Sequence, residues 1–175
     1  YVGAAAAAGR SIDFRLGDCH GVASLYGDNY PAWGFPTAYK TKVGVAMFTA
    51  VAAEVAAKVH AVVLARRVSP SSQRLLFDLF TETSEAGGVF WPGTAATYAT
   101  IFGSVMGAVK ARLAAAPVRV ANVQFIGANT FFSGSADKRA YFSAFLAACA
   151  SAGRFACPLD VVAFHPFTTS VATLL

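Results

Sequence analysis

Glu82 is the residue in this chain best placed to do chemistry. It follows Leu75, Leu76, Phe77, Leu79 and Phe80, an apolar run of strand length with turn and loop residues directly after it. Such a run suits a parallel strand covered on both faces. An acid just past its C-terminal end stands at the rim where α/β folds build their sites. A carboxyl there can lend and recover a proton; position alone favours the plainer reading, a solvated loop glutamate. His165, in His165-Pro166-Phe167, follows a second strand-like run, Val161 to Phe164. Trp33 and Tyr30 lie in one glycine- and proline-rich stretch, and Phe90 and Trp91 in another.

The wider pattern narrows the chemistry. Phe77-Asp78-Leu79-Phe80-Thr81-Glu82-Thr83, then Phe90-Trp91 with Gly93-Thr94, then Tyr98, resembles the F-E-V-W-N-E-P…F-W-x-G-T…Y segment of retaining glycoside hydrolases. The resemblance is to the family of β-xylosidases and α-L-iduronidases. It implies a (β/α)8 barrel in which the glutamate ending the fourth strand, here Glu82, is the general acid/base. It also implies carbohydrate as ligand and no cofactor. Thr81 stands where the family has an asparagine touching the sugar 2-hydroxyl, and Thr83 where it has proline. Pro158-Leu159-Asp160 and the following run to Phe167 resemble the sixth strand, L-D-F-V-S-x-H-P-Y, whose histidine faces the sugar. On this reading Thr81, His165, Trp33, Trp91 and His20 line the sugar subsite. Aromatic rings such as Trp33 and Tyr30 stack on the C–H faces of a pyranose, or else pack their loop onto the rim.

The rest of the chain must position these residues. Tyr1 to Ala8 is alanine-rich and helix-prone, with Gly9 as its stop. Ile12 to Leu16 alternates like a strand and resembles the family's third strand, with Arg15 in place of a glutamate. Asp18 to Pro36 reads as a long βα loop. A helix is expected over 36–67, with Val43, Met47, Val51, Val55, Val59 and Val63 as its four-spaced apolar stripe. Ser84 to Gly93 reads as a second rim loop. Thr94 is an expected N-cap, and Tyr98, Ile101, Phe102, Val105, Met106, Val109 and Leu113 an apolar helix face. Val118 to Phe125 is expected as a strand, Gly127 to Gly134 as a loop, and Asp137 to Ala152 as a helix.

Alternating β and α predicts parallel β/α units in one domain over 1–175: an incomplete TIM-type barrel of about four strands, third to sixth. Glu82 and His165 are then expected to face one hollow from the tips of neighbouring strands. A full barrel takes about 250 residues, and the family's nucleophile, a glutamate on the seventh strand, has no counterpart here. Asp18, Asp28 and Glu85 lack the strand-end placement it needs. Two readings stay open: an active glycoside hydrolase, or a glycosidase-derived structural or carbohydrate-binding component. Either calls for a protein partner or a further chain segment to close the barrel.

Composition agrees with a covered apolar surface: 56% of residues are hydrophobic and 13% charged, and mean hydropathy is +0.52. The net charge of +5 comes from scattered residues, with no basic run interleaved with aromatics, so no nucleic-acid partner is expected. Val43 to Leu64 is apolar enough for a membrane span. However, Glu54, Lys58 and His60 in its middle favour a buried helix instead. There is no C-x-x-C pair and no expected metal site. Cys149 and Cys157 can close a small disulfide loop or stay buried thiols; the first, with the family's habits, points to an extracellular or secretory setting.

Overall fold

The computed structural model describes residues 1–17, 42–68, 72–80, 93–118, 120, 122–132, 136–150 and 157–166. In chain order these form α1 (Val2–Ala7), β1 (Ile12–Arg15), α2 (Lys42–Arg66), β2 (Arg74–Asp78), α3 (Ala95–Ala114), β3 (Asn122–Phe132), α4 (Ala136–Cys149) and β4 (Val161–Pro166). The four strands make a sheet in the order β1-β2-β3-β4, and every neighbouring pair is parallel. Consecutive helices touch one another, α1 on α2, α2 on α3 and α3 on α4, so the helices form one layer. Strictly alternating strand and helix with right-handed crossovers produces this arrangement, because each crossover returns on the same side.

The core lies between that layer and the sheet. Leu75 and Phe77 of β2 are wholly buried, and the Phe77 ring stacks on Phe125 of β3 with centroids 6.5 Å apart. The expected α3 face is buried along its whole length, from Tyr98 to Leu113. Thr94 caps this helix by accepting a hydrogen bond from the Thr97 amide at 3.1 Å. At the carboxyl end of the sheet Tyr98, Phe102 and Phe145 meet edge to face or tilted, with centroids 5.4–6.0 Å apart. Gly127 of β3 lies under this cluster: a Cβ there would come 2.9 Å from the Phe102 ring. Cys149 and Cys157 are disulfide-bonded, tying the end of α4 to the approach to β4.

Three expectations are corrected. The four-spaced stripe of α2 does not stay on the core: Val59 and Val63 are buried, but Met47 and Val51 are exposed. A four-residue step turns about 400° on a 3.6-residue helix, so such a row drifts about 40° per step and leaves the interface. The buried face is instead Ala52, Ala53, Ala56, Val59, His60 and Val63. β3 begins at Asn122 rather than Val118, and it runs through the expected Gly127–Gly134 loop to Phe132. A register shift between Gly127 and Thr130 lets Thr130, Phe131 and Phe132 pair with Phe164, His165 and Pro166. Within the described residues the long helix starts at Lys42.

α2 contains the one candidate membrane span among the described residues, Val45–Arg66, with a third of its apolar window buried. Its exposed Glu54 pairs with Arg112 of α3 at 2.7 Å, which suits a helix packed beside another at a wet surface.

Gln73 joins α1 to the sheet. Gly9, at φ +72°, ends α1, with Gly9 N–H bonded to Ala6 O and Arg10 N–H to Ala5 O. The buried Gln73 amide then donates to Ala6 O at 2.7 Å and accepts from Val68 N–H at 2.9 Å. Gln73→Leu is expected to cost about 2–3 kcal/mol in urea unfolding, because buried backbone groups on two segments lose their partner.

Candidate active site at the carboxyl ends of the strands

Because the strands are parallel, all four carboxyl ends lie along one edge of the fold. Ligand sites of α/β sheets form at that edge. β1 and β2 are locked together there. Arg15 and Asp78 are paired in register, and Arg15 Nε donates to Asp78 Oδ2 at 2.8 Å. Asp78 Oδ1 accepts from the Leu79 amide. Beyond the last ladder residue, Leu16 N–H bonds Asp78 O at 2.8 Å and Gly17 N–H bonds Leu79 O at 3.0 Å. Gly17 is needed for that approach: a Cβ would lie 2.7 Å from Leu79 O.

Asp78 is completely buried, whereas Arg15 keeps about a third of its side chain exposed (32%). Burial pushes the Asp78 carboxyl up to about 6, against the downward pull of the Arg15 charge and hydrogen bond. The Tyr98 phenol, wholly buried beside Phe80, is held well above its ordinary value by burial and by the Asp78 charge. A carboxyl poised near neutrality at a sheet end is a frequent mark of functional sites. With no exposure, Asp78 touches no substrate in this state; its place is to hold the strand that leads into Thr81 and Glu82. Sequence reading passed over it. The signal was a lone acid inside Leu75-Leu76-Phe77-Asp78-Leu79-Phe80, since a charge in a buried strand requires a partner, and Arg15 is the cation in register.

β2 delivers the chain to the proposed acid. Leu79 and Phe80 are buried immediately before it, and Phe80 stands two residues ahead of Glu82. Glu82 itself, Thr81, Trp33, Trp91 and His20 lie outside the described residues. The backbone of His165 is placed: it pairs with Phe131 near the carboxyl end of β4. The strands leading to Glu82 and His165 are not neighbours, however, because β3 lies between them. Strand ends two places apart are separated by about 10 Å, room enough for a ring between them. Asp160 fixes β4 against β3 by accepting from Phe125 N–H and donating its own N–H to Phe125 O, both at 2.9 Å.

A different cavity, of about 360 Å³, lies toward the amino end of β3 and is lined by His60, Lys110, Leu113, Ala114, Val120, Val123 and Phe125. His60 Nε2 accepts from Val120 N–H at 2.9 Å. Burial, aided by Arg67, lowers its affinity for a proton, so the imidazole is neutral and serves as a backbone clamp. Among the described residues no cluster of three or more His, Cys, Asp or Glu side chains could hold a metal ion.

No family model, curated protein or solved structure matches this chain.

Proposed function

We propose that this chain is a glycoside hydrolase-like domain of a (β/α)8 barrel, with Glu82 as general acid/base of a retaining reaction on a xyloside- or uronide-type substrate. The supporting observation is the sequential parallel order β1-β2-β3-β4 among the described strands, with the four described helices packed side by side. In that order the segments entering Thr81–Glu82 and carrying His165 leave the sheet at one edge. In the reaction Glu82 gives its proton to the leaving oxygen as the glycosidic bond breaks and a second carboxylate bonds to the anomeric carbon. Glu82 then takes a proton from the water that releases the sugar. The two carboxyls must stand about 5–5.5 Å apart, so the nucleophile comes from the half of the barrel that completes this one. Thr81 offers its hydroxyl to the sugar 2-hydroxyl, and Trp33, Trp91, His165 and His20 complete the subsite. The Cys149–Cys157 bond favours an extracellular or secretory setting.

Hydrolysis of p-nitrophenyl xyloside and glucuronide, with Glu82→Gln as the comparison, tests the reading. The variant is expected to lose about a hundredfold in rate. Equal rates, or no turnover by the folded protein, would remove Glu82 from the chemistry.

The second reading, sugar binding without turnover, draws on Thr81 in place of asparagine and on Arg15, whose charge is engaged by buried Asp78. Sugar binding that survives Glu82→Gln, with no hydrolysis by either protein, would select it.

A further inference from the structure

The cavity beside His60 has a chemistry that the proposed hydrolysis does not use. It lies toward the amino end of β3, opposite the edge from which β2 and β4 leave the sheet. Its volume of about 360 Å³ is at the lower end for small-molecule sites. Leu113 of α3, with Val120, Val123 and Phe125, gives it an apolar wall. Its polar lining is His60 and Lys110, and no lining residue is acidic. His60 is only 3% exposed, yet half of its ring is unspent. Nε2 accepts from Val120 N–H at 2.9 Å, so the neutral ring carries its proton on Nδ1. Among the described residues nothing accepts that proton. A buried donor without an acceptor is costly, and the ring that holds this one lines the cavity. Two cations stand by. Lys110 lines the cavity from an exposed position, and Arg67 lies close enough for its charge to lower the proton affinity of His60. No acid among the described residues pairs with either. The end of α3 works against an anion here, but a helix end carries only about half a charge. Its Ala111 and Leu113 carbonyls already accept from the Ala115 and Ala116 amides. Two full positive charges outweigh what is left.

We infer that this cavity binds a small carboxylate with an apolar tail, its head held by Lys110 and the His60 Nδ1–H and its tail laid against Leu113, Val123 and Phe125. A carboxylate accepts from both donors at once and carries the charge that complements Lys110. A hydroxyl lacks that charge, and an ammonium cannot accept at all. Water can satisfy the two donors, but the apolar wall gains only from an apolar occupant. The cavity is at the other end of the sheet from the sugar site, so it stands or falls independently of the hydrolysis.

Titration of the isotope-labelled protein with sodium octanoate below its micelle concentration tests this, with octan-1-ol and octylamine as ligands of the same tail. The expected result is saturable shifts of the His60, Leu113, Val120 and Val123 amides. Lys110→Ala is expected to raise the octanoate Kd about fivefold, the scale of one exposed ion pair. Octan-1-ol should bind the parent protein at least about fivefold more weakly than octanoate does, for the same reason. Ala114→Phe fills the cavity from an exposed lining position on α3 and is expected to abolish the shifts, with far-UV circular dichroism checking that each variant is folded. No octanoate binding, or an affinity unchanged in Lys110→Ala, would overturn the inference. Octan-1-ol or octylamine binding as tightly as octanoate would overturn it too, since the crevice would then recognise no charge.

Discussion

Arg15→Met is expected to destabilise the fold by about 3–5 kcal/mol at pH 7–8, the cost of leaving a buried charge without its partner. Asp78 would remain wholly buried while losing the guanidinium that donates at 2.8 Å. The pH dependence gives the loss a signature. The Asp78 carboxyl is already raised to about 6 by burial, so the folded protein holds that proton more tightly than the unfolded chain. Its contribution to stability is therefore fully present below the ordinary value of 3.8 and is lost as pH rises through about 6. Removing Arg15 deletes the two strongest influences that lower this group, so the proton is held tighter still. The defect should be greatest above pH 7 and shrink toward pH 4. His60 pushes the other way, since its lowered affinity makes the fold lose stability as pH falls below 6.5. The comparison is therefore variant against parent at each pH, by urea unfolding. Asp78→Leu in the Arg15→Met background should recover most of the loss, because an apolar pair of similar volume carries no buried charge. A constant loss across the pH range would show that packing of the Arg15 stem, not charge, is responsible.

Phe145→Ala is expected to cost about 3–5 kcal/mol, as for other large aromatic deletions in a closed core. The ring is wholly buried and touches Tyr98 at 5.4 Å and Phe102 at 5.7 Å between centroids. Those neighbours come from α3 and cannot collapse far, since Phe102 already sits against Gly127 of β3. The edge-to-face contact with Phe102 adds to simple burial. Phe145→Leu should cost about half as much, because most of the apolar volume is retained. Equal losses for the two variants would mean that the aromatic geometry, rather than the filled space, sets the stability.

Much of the architecture was legible in the chain because its periods are simple. The α3 stripe from Tyr98 to Leu113 follows a helical repeat and is buried as expected. Gly9 marked the end of α1, and the apolar run from Leu75 marked β2, although that strand ends at Asp78 and not at Phe80. α2 misled because alanines supply its true interface. A row of valines at four-residue spacing outweighs Ala52, Ala53 and Ala56 in hydrophobicity although the helix turns most of that row away. β3 was cut short because Gly127 reads as a loop residue, whereas here it makes room for Phe102 inside a continuous strand. At the site, the strand leading to Glu82 and the backbone position of His165 were legible from their order in the chain. The Arg15–Asp78 pair was not, because its partners lie 63 residues apart and only the parallel register brings them together.

Titration of the isotope-labelled protein with xylobiose, followed through its backbone amide resonances, tests most directly whether sugar is held at the carboxyl ends of the strands. The account predicts shifts gathered at Leu79, Phe80, Phe131 and His165, and spreading into the Thr81–Glu82 segment. Shifts gathered instead around Gln73, His60 and Val120 at the opposite edge, or none at saturating sugar, would contradict it.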